Sequence, residues 1–286
     1  MNKMKDILKI CVYQFRIQMC SKRVWLGYLL GIVIIMKQSF GYFVYADSLK
    51  EPVNVLEAFV VAGNNYNTAM FLILGWLLVI SEAPFVNSIS FYLIYRTNKK
   101  NWNTAMILYI FCQAVIYYSL IVGSTILFSL KNSFFSNIWS SPLIRLTENA
   151  NKITEFNVYF PYTSFIKEIS VFQAFLYTWI LCFLYGLILG LFLYTFNLFS
   201  NQIAGAVAVF VFHFLGYEIM KEGFMVIIRY SLLARSIPVL QIGEDLGVTF
   251  HGTLLVYAII IFMLNAMSKK IVKFTDLKEA SRGEGE

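Results

Sequence analysis

Residues 67–104 read NTAMFLILGWLLVISEAPFVNSISFYLIYRTNKKNWNT. An apolar run ends at Ser81-Glu82-Ala83-Pro84. An aromatic-rich stretch follows, then a basic knot around Arg96, Lys99 and Lys100, then Trp102 and the start of a second apolar run. Such apolar runs are membrane-spanning helices when they approach about 20 residues. A polar, basic turn between two of them lies where a membrane domain meets the aqueous side. This hairpin decides the fold class, and its turn is the best handle on function.

The composition agrees. Of 286 residues, 59% are hydrophobic and 14% are charged. Soluble domains carry about 25% charged residues, so a soluble domain is excluded. The same reading extends along the chain to spans at residues 24–43, 67–80 (continuing towards Pro84), 104–130, 171–192, 203–219 and 253–267. The expected fold is therefore all-α: a polytopic membrane protein with six transmembrane helices.

Lysine and arginine set the orientation. Lys3, Lys5, Lys9, Arg16, Lys22 and Arg23 precede the first span. Arg96, Lys99 and Lys100 follow the second. Lys269, Lys270, Lys273, Lys278 and Arg282 follow the last. Six spans put these three segments on one side, so both termini read as cytoplasmic in a multi-pass plasma-membrane protein. The net charge of +7 reflects this asymmetry rather than nucleic-acid binding. Asp47, Glu51, Glu57, Glu148, Glu155 and Glu168 fall on the outer side.

Three further regions frame the helices. Residues 1–23 are predicted to form an amphipathic interfacial helix. Met4, Ile7, Leu8, Cys11, Phe15 and Met19 keep helical spacing, and Lys5, Lys9 and Arg16 share another face. Such a helix lies on anionic headgroups. The membrane domain then occupies 24–268, and a polar tail occupies 269–286. Residues 224–242 are apolar, but Arg229 and Arg235 interrupt them and Pro238 breaks them. A seventh span there would put the basic tail outside, so a re-entrant hairpin is expected. The outer loop 131–170 is long enough for local structure. The long basic region before the first run, and a run longer than a signal peptide's apolar core, argue against cleavage near Ala46, so a retained first span is expected.

Motifs for chemistry are missing. There is no GxxxxGK[ST] phosphate loop, HExxH or GxSxG. Two histidines and four cysteines without CxxC spacing suggest neither metal nor redox chemistry. The chain is expected to bind no cofactor or metal itself. Lys37, His213 and Glu218 are ionisable residues in or near spans; they line an internal path, or else Lys37 snorkels to the outer surface and His213 bonds within the bundle. Gly27 and Gly31, Gly186 and Gly190, and Ala204 and Ala208 have small-residue spacing. That spacing permits close helix contact within one chain or between two.

Six spans, the amphipathic amino-terminal helix and the apolar hairpin before the last span resemble permease subunits of ABC-2 type transporters. In the turn after span two, Glu82, Pro84-Phe85, Arg96, Lys99, Lys100 and Trp102 resemble the acid, Pro-aromatic, basic and tryptophan positions of bacterial members. The resemblance implies a half-transporter that exports an amphipathic substrate such as a peptide. A separate ATPase, carrying ATP and Mg, would dock on that turn. A second permease chain would pair through spans one and five, using Gly27, Gly31, Ala204 and Ala208. A lipid-modifying membrane enzyme and an immunity or scaffold protein are the competing readings.

Overall fold

The computed structural model describes residues 3–86, 93–94, 97–160, 162–200, 202–223, 225–242 and 247–274. Within them the chain is an all-α bundle. Five helices are long and apolar enough to cross a membrane: α2 (Lys22–Leu49), α5 (Lys99–Ser129), α9 (Val171–Phe199), α10 (Gln202–Lys221) and α14 (Phe250–Phe274). α1 (Lys3–Met19) precedes them, and α3 (Glu57–Gly63) and α4 (Tyr66–Ile80) lie between α2 and α5.

The expected second span is shorter than its apolar run suggested. α4 has 15 residues, or about 22 Å at 1.5 Å per residue. It starts where Asn65 turns extended and its side chain caps the Asn67 amide, the usual role of Asn at a helix start. The other predicted spans gain length. α5 begins at Lys99 because Asn98 caps the Lys100 amide. Lys99, Lys100 and Trp102 therefore stand on the first turn of a helix, not in a loop. α14 runs on to Phe274, so Lys269, Lys270 and Lys273 belong to a helix rather than to the polar tail.

The most extensive helix–helix contact is between α2 and α4. A Cβ on Gly27 would lie 2.7 Å from the Gly75 carbonyl oxygen, and one on Gly75 would lie 2.9 Å from that of Gly27. Tyr117 of α5 fills the adjoining notch. A Cβ on Gly31 would meet its hydroxyl at 2.6 Å, and that hydroxyl donates to the Leu72 carbonyl at 2.6 Å. The indole of Trp76 donates to the Gly186 carbonyl of α9 at 2.7 Å. Gly186 is packed against Tyr118, and Gly190 against Trp76 and Ile110. The small residues of α2 and α9 thus serve contacts within the chain. Ala204 and Ala208, on α10, are half-buried.

Two ends can be told apart. At the basic end, α1 lies on α5 through Phe15 and Tyr109 (ring centroids 4.8 Å), and Asn103 donates to Ser268 of α14 at 3.3 Å. The expected apolar stripe of α1 divides: Cys11 is buried with Ile10, whereas Met4 and Leu8 are exposed. At the far end residues 133–160 and 162–170 form a cap. β1 (Val53–Asn54) pairs in parallel with β2 (Ser133–Phe134). The short helices α6 (Ser141–Glu148), α7 (Ala150–Glu155) and α8 (Thr163–Glu168) follow. Leu143, Leu146, Phe160 and Phe165 bury themselves there against Tyr42, Tyr45 and Ala46 of α2. The predicted hairpin region holds three one-turn helices, α11 (Met225–Ile228), α12 (Leu232–Arg235) and α13 (Val239–Ile242).

Glycine substitutions should separate contact from open space. Gly75→Leu forces side-chain atoms into the backbone of α2 and should cost about 3 kcal/mol or more, the upper range for overpacking. Gly123 has nothing within 4 Å of its notional Cβ, so Gly123→Ala should be neutral or stabilise by up to about 1 kcal/mol. Thermal unfolding in detergent checks both.

Candidate functional site

The turn after α4 is locked to its surroundings. Glu82 pairs with Arg23 at 2.8 Å and accepts from the Gln18 amide at 2.8 Å. Arg23 also donates to Gln18 at 3.3 Å. Gln18 closes α1 and Arg23 opens α2, so one carboxylate gathers three helices. The pair is partly exposed and worth at most about 1 kcal/mol by itself, but its geometry fixes where α1 lies. The Ala83 carbonyl accepts from Asn197 of α9 at 2.7 Å.

The aromatic residue beyond Pro84 turns inward. Pro84 is buried. Phe85, with φ of 61°, is buried with its ring edge-on to Tyr109 at 5.0 Å. Tyr109 is thus bracketed by Phe15 from α1 and Phe85 from the turn. Its hydroxyl accepts from Gln113 at 2.9 Å, and Gln113 accepts from Tyr28 of α2. Tyr109, Gln113 and Tyr28 are thus bonded to one another inside this apolar wedge, as burial demands.

Trp102 differs from the expected docking residue. It is 1% exposed and packs on Tyr194 of α9, with centroids 6.5 Å apart. Its bulk is apolar, and the first turn of α5 points that bulk between helices. Trp102 positions the junction instead of touching a partner. Tyr194 donates to Asn103 at 2.8 Å, completing a polar tie to α14. Lys100 is exposed and Lys99 half-buried at the same end. Arg96 lies outside the described residues.

The three path candidates do not converge. His213 is buried on α10. Its Nε2 faces the Met70 carbonyl of α4 at 3.2 Å, and its Nδ1 faces the Tyr185 hydroxyl of α9 at 2.7 Å. A carbonyl only accepts, so Nε2 donates to Met70, while Nδ1 shares a hydrogen bond with the tyrosine hydroxyl. It fastens three helices. Glu218 lies 3.8 Å from Lys221 on the same helix. Lys37 is exposed on α2, in a groove that neither His213 nor Glu218 lines.

The segment before α14 is anchored to the bundle. Asn64 accepts from the Val239 amide at 3.0 Å, and Tyr257 of α14 donates to the Leu232 carbonyl at 2.7 Å. Pro238 is buried. Arg229 is exposed and lies 5.2 Å from the centre of its neighbour Tyr230's ring. Arg235 is half-buried. Nearby, Glu222 lies 3.9 Å from Lys221, and Glu244 is outside the described residues.

One residue was overlooked in the sequence. Glu57 is fully buried in the far-end cap. It accepts from the Ser140 amide (2.6 Å), the Ser140 hydroxyl (2.6 Å), the Tyr42 hydroxyl (2.7 Å) and the Asn54 amide (3.0 Å). Asn54 in turn accepts from the Leu56 amide at 3.2 Å. The spacing Asn54-x-x-Glu57 is that of a capping box, and it was the available signal. The carboxylate ties α2, α3 and the start of α6 together.

Burial raises the Glu57 pKa above its ordinary 4.5, while hydrogen bonds from Ser140, Tyr42 and Asn54 pull the other way. A raised folded-state value favours the protonated form in the fold. That stabilisation is complete below about 4.5 and lost as pH climbs through the raised value. The thermal stability of the wild type should therefore fall as pH rises from 4.5. Glu57→Gln should flatten that slope. It should also cost about 1–3 kcal/mol, because a carboxamide NH2 cannot accept from the Asn54 amide. Unfolding scans across pH on both proteins check the sign.

Comparison of the chain with protein-family models, with curated proteins and with solved structures found no match to any of them.

Proposed function

We propose that this chain is the membrane-spanning permease subunit of an ATP-driven exporter, of the ABC-2 type. In this reading α2, α4, α5, α9, α10 and α14 each cross the bilayer. Both termini lie in the cytoplasm, and residues 224–242 enter the outer leaflet and return. A separate ATPase supplies ATP hydrolysis with Mg, and a second permease chain completes the path. The substrate is an amphipathic molecule of the peptide class.

One observation carries the proposal. The turn after α4, the amphipathic helix α1, the start of α2 and the third turn of α5 form a single clamped unit through Gln18, Arg23, Glu82, Phe85 and Tyr109. A partner pressing on such a unit would move α1, α2, α4 and α5 together. An energy-coupling surface needs that property, and a passive topogenic loop does not. The basic side chains Lys99 and Lys100 stand on the first turn of α5, two turns before Tyr109.

The pairing of subunits takes a narrower form than first expected. Gly27 and Gly31 are filled by Gly75, Val79 and Tyr117 of the same chain. The contact with a second copy is assigned instead to α10, where Ala204 and Ala208 are half-buried beside exposed Ile203, Val207 and Val211.

Purification of the tagged chain from its native membranes should recover an ATPase bearing a phosphate loop. Lys99→Glu with Lys100→Glu should reduce that recovery about tenfold or more, equivalent to about 1.4 kcal/mol, while membrane insertion is retained. Trp102→Ala should act differently: it empties a core site and should cost about 3–5 kcal/mol of fold stability. Absence of any ATPase from a well-folded wild-type preparation would overturn the proposal.

A further inference from the structure

A groove of about 570 Å³ runs along the far half of α2. Its apolar walls include Phe40 and Val44 of α2 and Phe128 of α5, all well exposed. Its charged lining is Lys37, Asp47, Glu51 and Lys131. Glu51 is engaged by Arg145 at 3.0 Å. Among the described residues, Lys37, Lys131 and Asp47 pair with no opposite charge. The groove therefore offers two uncommitted cations against one uncommitted acid.

Lys37 has an unusual position. On α2 it follows Val33 and precedes Phe40 and Val44 on one exposed apolar stripe. Counting from Val24 at the basic end, its Cα sits about 20 Å along a hydrocarbon layer of about 30 Å. That leaves it about 10 Å beneath the far boundary. A lysine there is costly in lipid unless its ammonium meets an anion or water, and its four-carbon stem lets it reach outward. Lys131 lies just beyond the end of α5, on the opposite wall. Lys37 and Lys131 thus line one groove, the first from the outer part of α2 and the second from beyond the end of α5, while Phe40, Val44 and Phe128 offer an acyl-chain surface between helices.

We propose that this groove is a binding site for an anionic phospholipid of the outer leaflet. Its phosphate is held between Lys37 and Lys131, and one acyl chain lies against Phe40, Val44 and Phe128. The volume suits a headgroup and the upper part of one chain better than a whole lipid, since ligand pockets of about 300–1,000 Å³ enclose drug-sized groups. The remaining chains stay in the bilayer. The site rests on α2 and α5 lying in a membrane, and it stands whether or not the chain is a permease.

The test uses the full chain in nanodiscs of equal phosphatidylglycerol and phosphatidylcholine, released and read by native mass spectrometry. The wild type should retain phosphatidylglycerol preferentially. Lys37→Gln with Lys131→Gln should lower that retention about tenfold or more and leave phosphatidylcholine unchanged. Both lysines are exposed, so the fold should survive, and thermal unfolding verifies it. Val44→Trp keeps both lysines but fills the groove, and it should also expel the lipid. Lys269→Gln with Lys270→Gln, at the basic end, should leave the retained lipid in place. Undiminished retention in the Lys37/Lys131 variant, or an equal loss in the Lys269/Lys270 variant, overturns the proposal.

Discussion

The approach of α2 to α4 sets the dimensions of everything else. Gly27 and Gly75 bring two helix backbones so near that neither tolerates a methyl group. In lipid there is little hydrophobic gain from pairing apolar helices, so dispersion contact and shape must hold them. Tyr117 exploits the missing side chains. It enters the notch beside Gly31 and spends its hydroxyl on a helix carbonyl of α4. The α2–α4 pair and α5 are thereby one body, and α9 joins through Trp76 and Gly186. α10 and α14 flank this core with few of their residues fully buried.

Polar residues are placed where a bundle of this kind needs direction rather than attraction. Tyr28, Gln113 and Tyr109 chain together across α2 and α5. Tyr194, Asn103 and Ser268 do the same across α9, α5 and α14. His213 is doubly bonded. Each network is satisfied internally, and a slipped helix register would leave its members unpaired in an apolar setting. Uniqueness of packing is the gain, because apolar faces alone would accept several registers.

Much of the fold was legible in the residues. Long apolar runs announce α2, α5, α9, α10 and α14, and the spacing in residues 3–19 announces α1. Legibility fails where local and tertiary signals conflict. The run 67–84 is apolar throughout its first part, yet the helix stops at Ile80, where the turn 81–84 follows. Lys99, Lys100 and Trp102 read as loop because they are basic and flank a run, but Asn98 caps them into α5. Trp102 was recognised as notable and given a surface role; only the placement of Tyr194 reveals that it is core. The glycines of α2 were correctly read as contact residues, but spacing cannot say whether the partner is Gly75 or another chain. Glu57 was counted as an outer acid because charge on a loop reads as solvated. Its burial depends on Tyr42 and Ser140, 15 and 83 positions away.

The break between α3 and α4 makes α4 a strut. At its far end the chain interrupts at Asn64 and Asn65. Asn64 bonds Thr178 of α9 and the Val239 amide, while Asn67 accepts from Tyr217 of α10 at 3.0 Å. At its near end it runs into Glu82 and Ala83, pinned to α1, α2 and α9. A helix is stiff along its axis, so a displacement applied at one of these ends has two outlets. It travels the length of α4 to the segment around Val239, or it is absorbed as a change of angle at the two asparagines. The pair Asn64-Asn65 is thereby the compliance of the bundle: the place whose stiffness decides how much of a push on one membrane face arrives at the other.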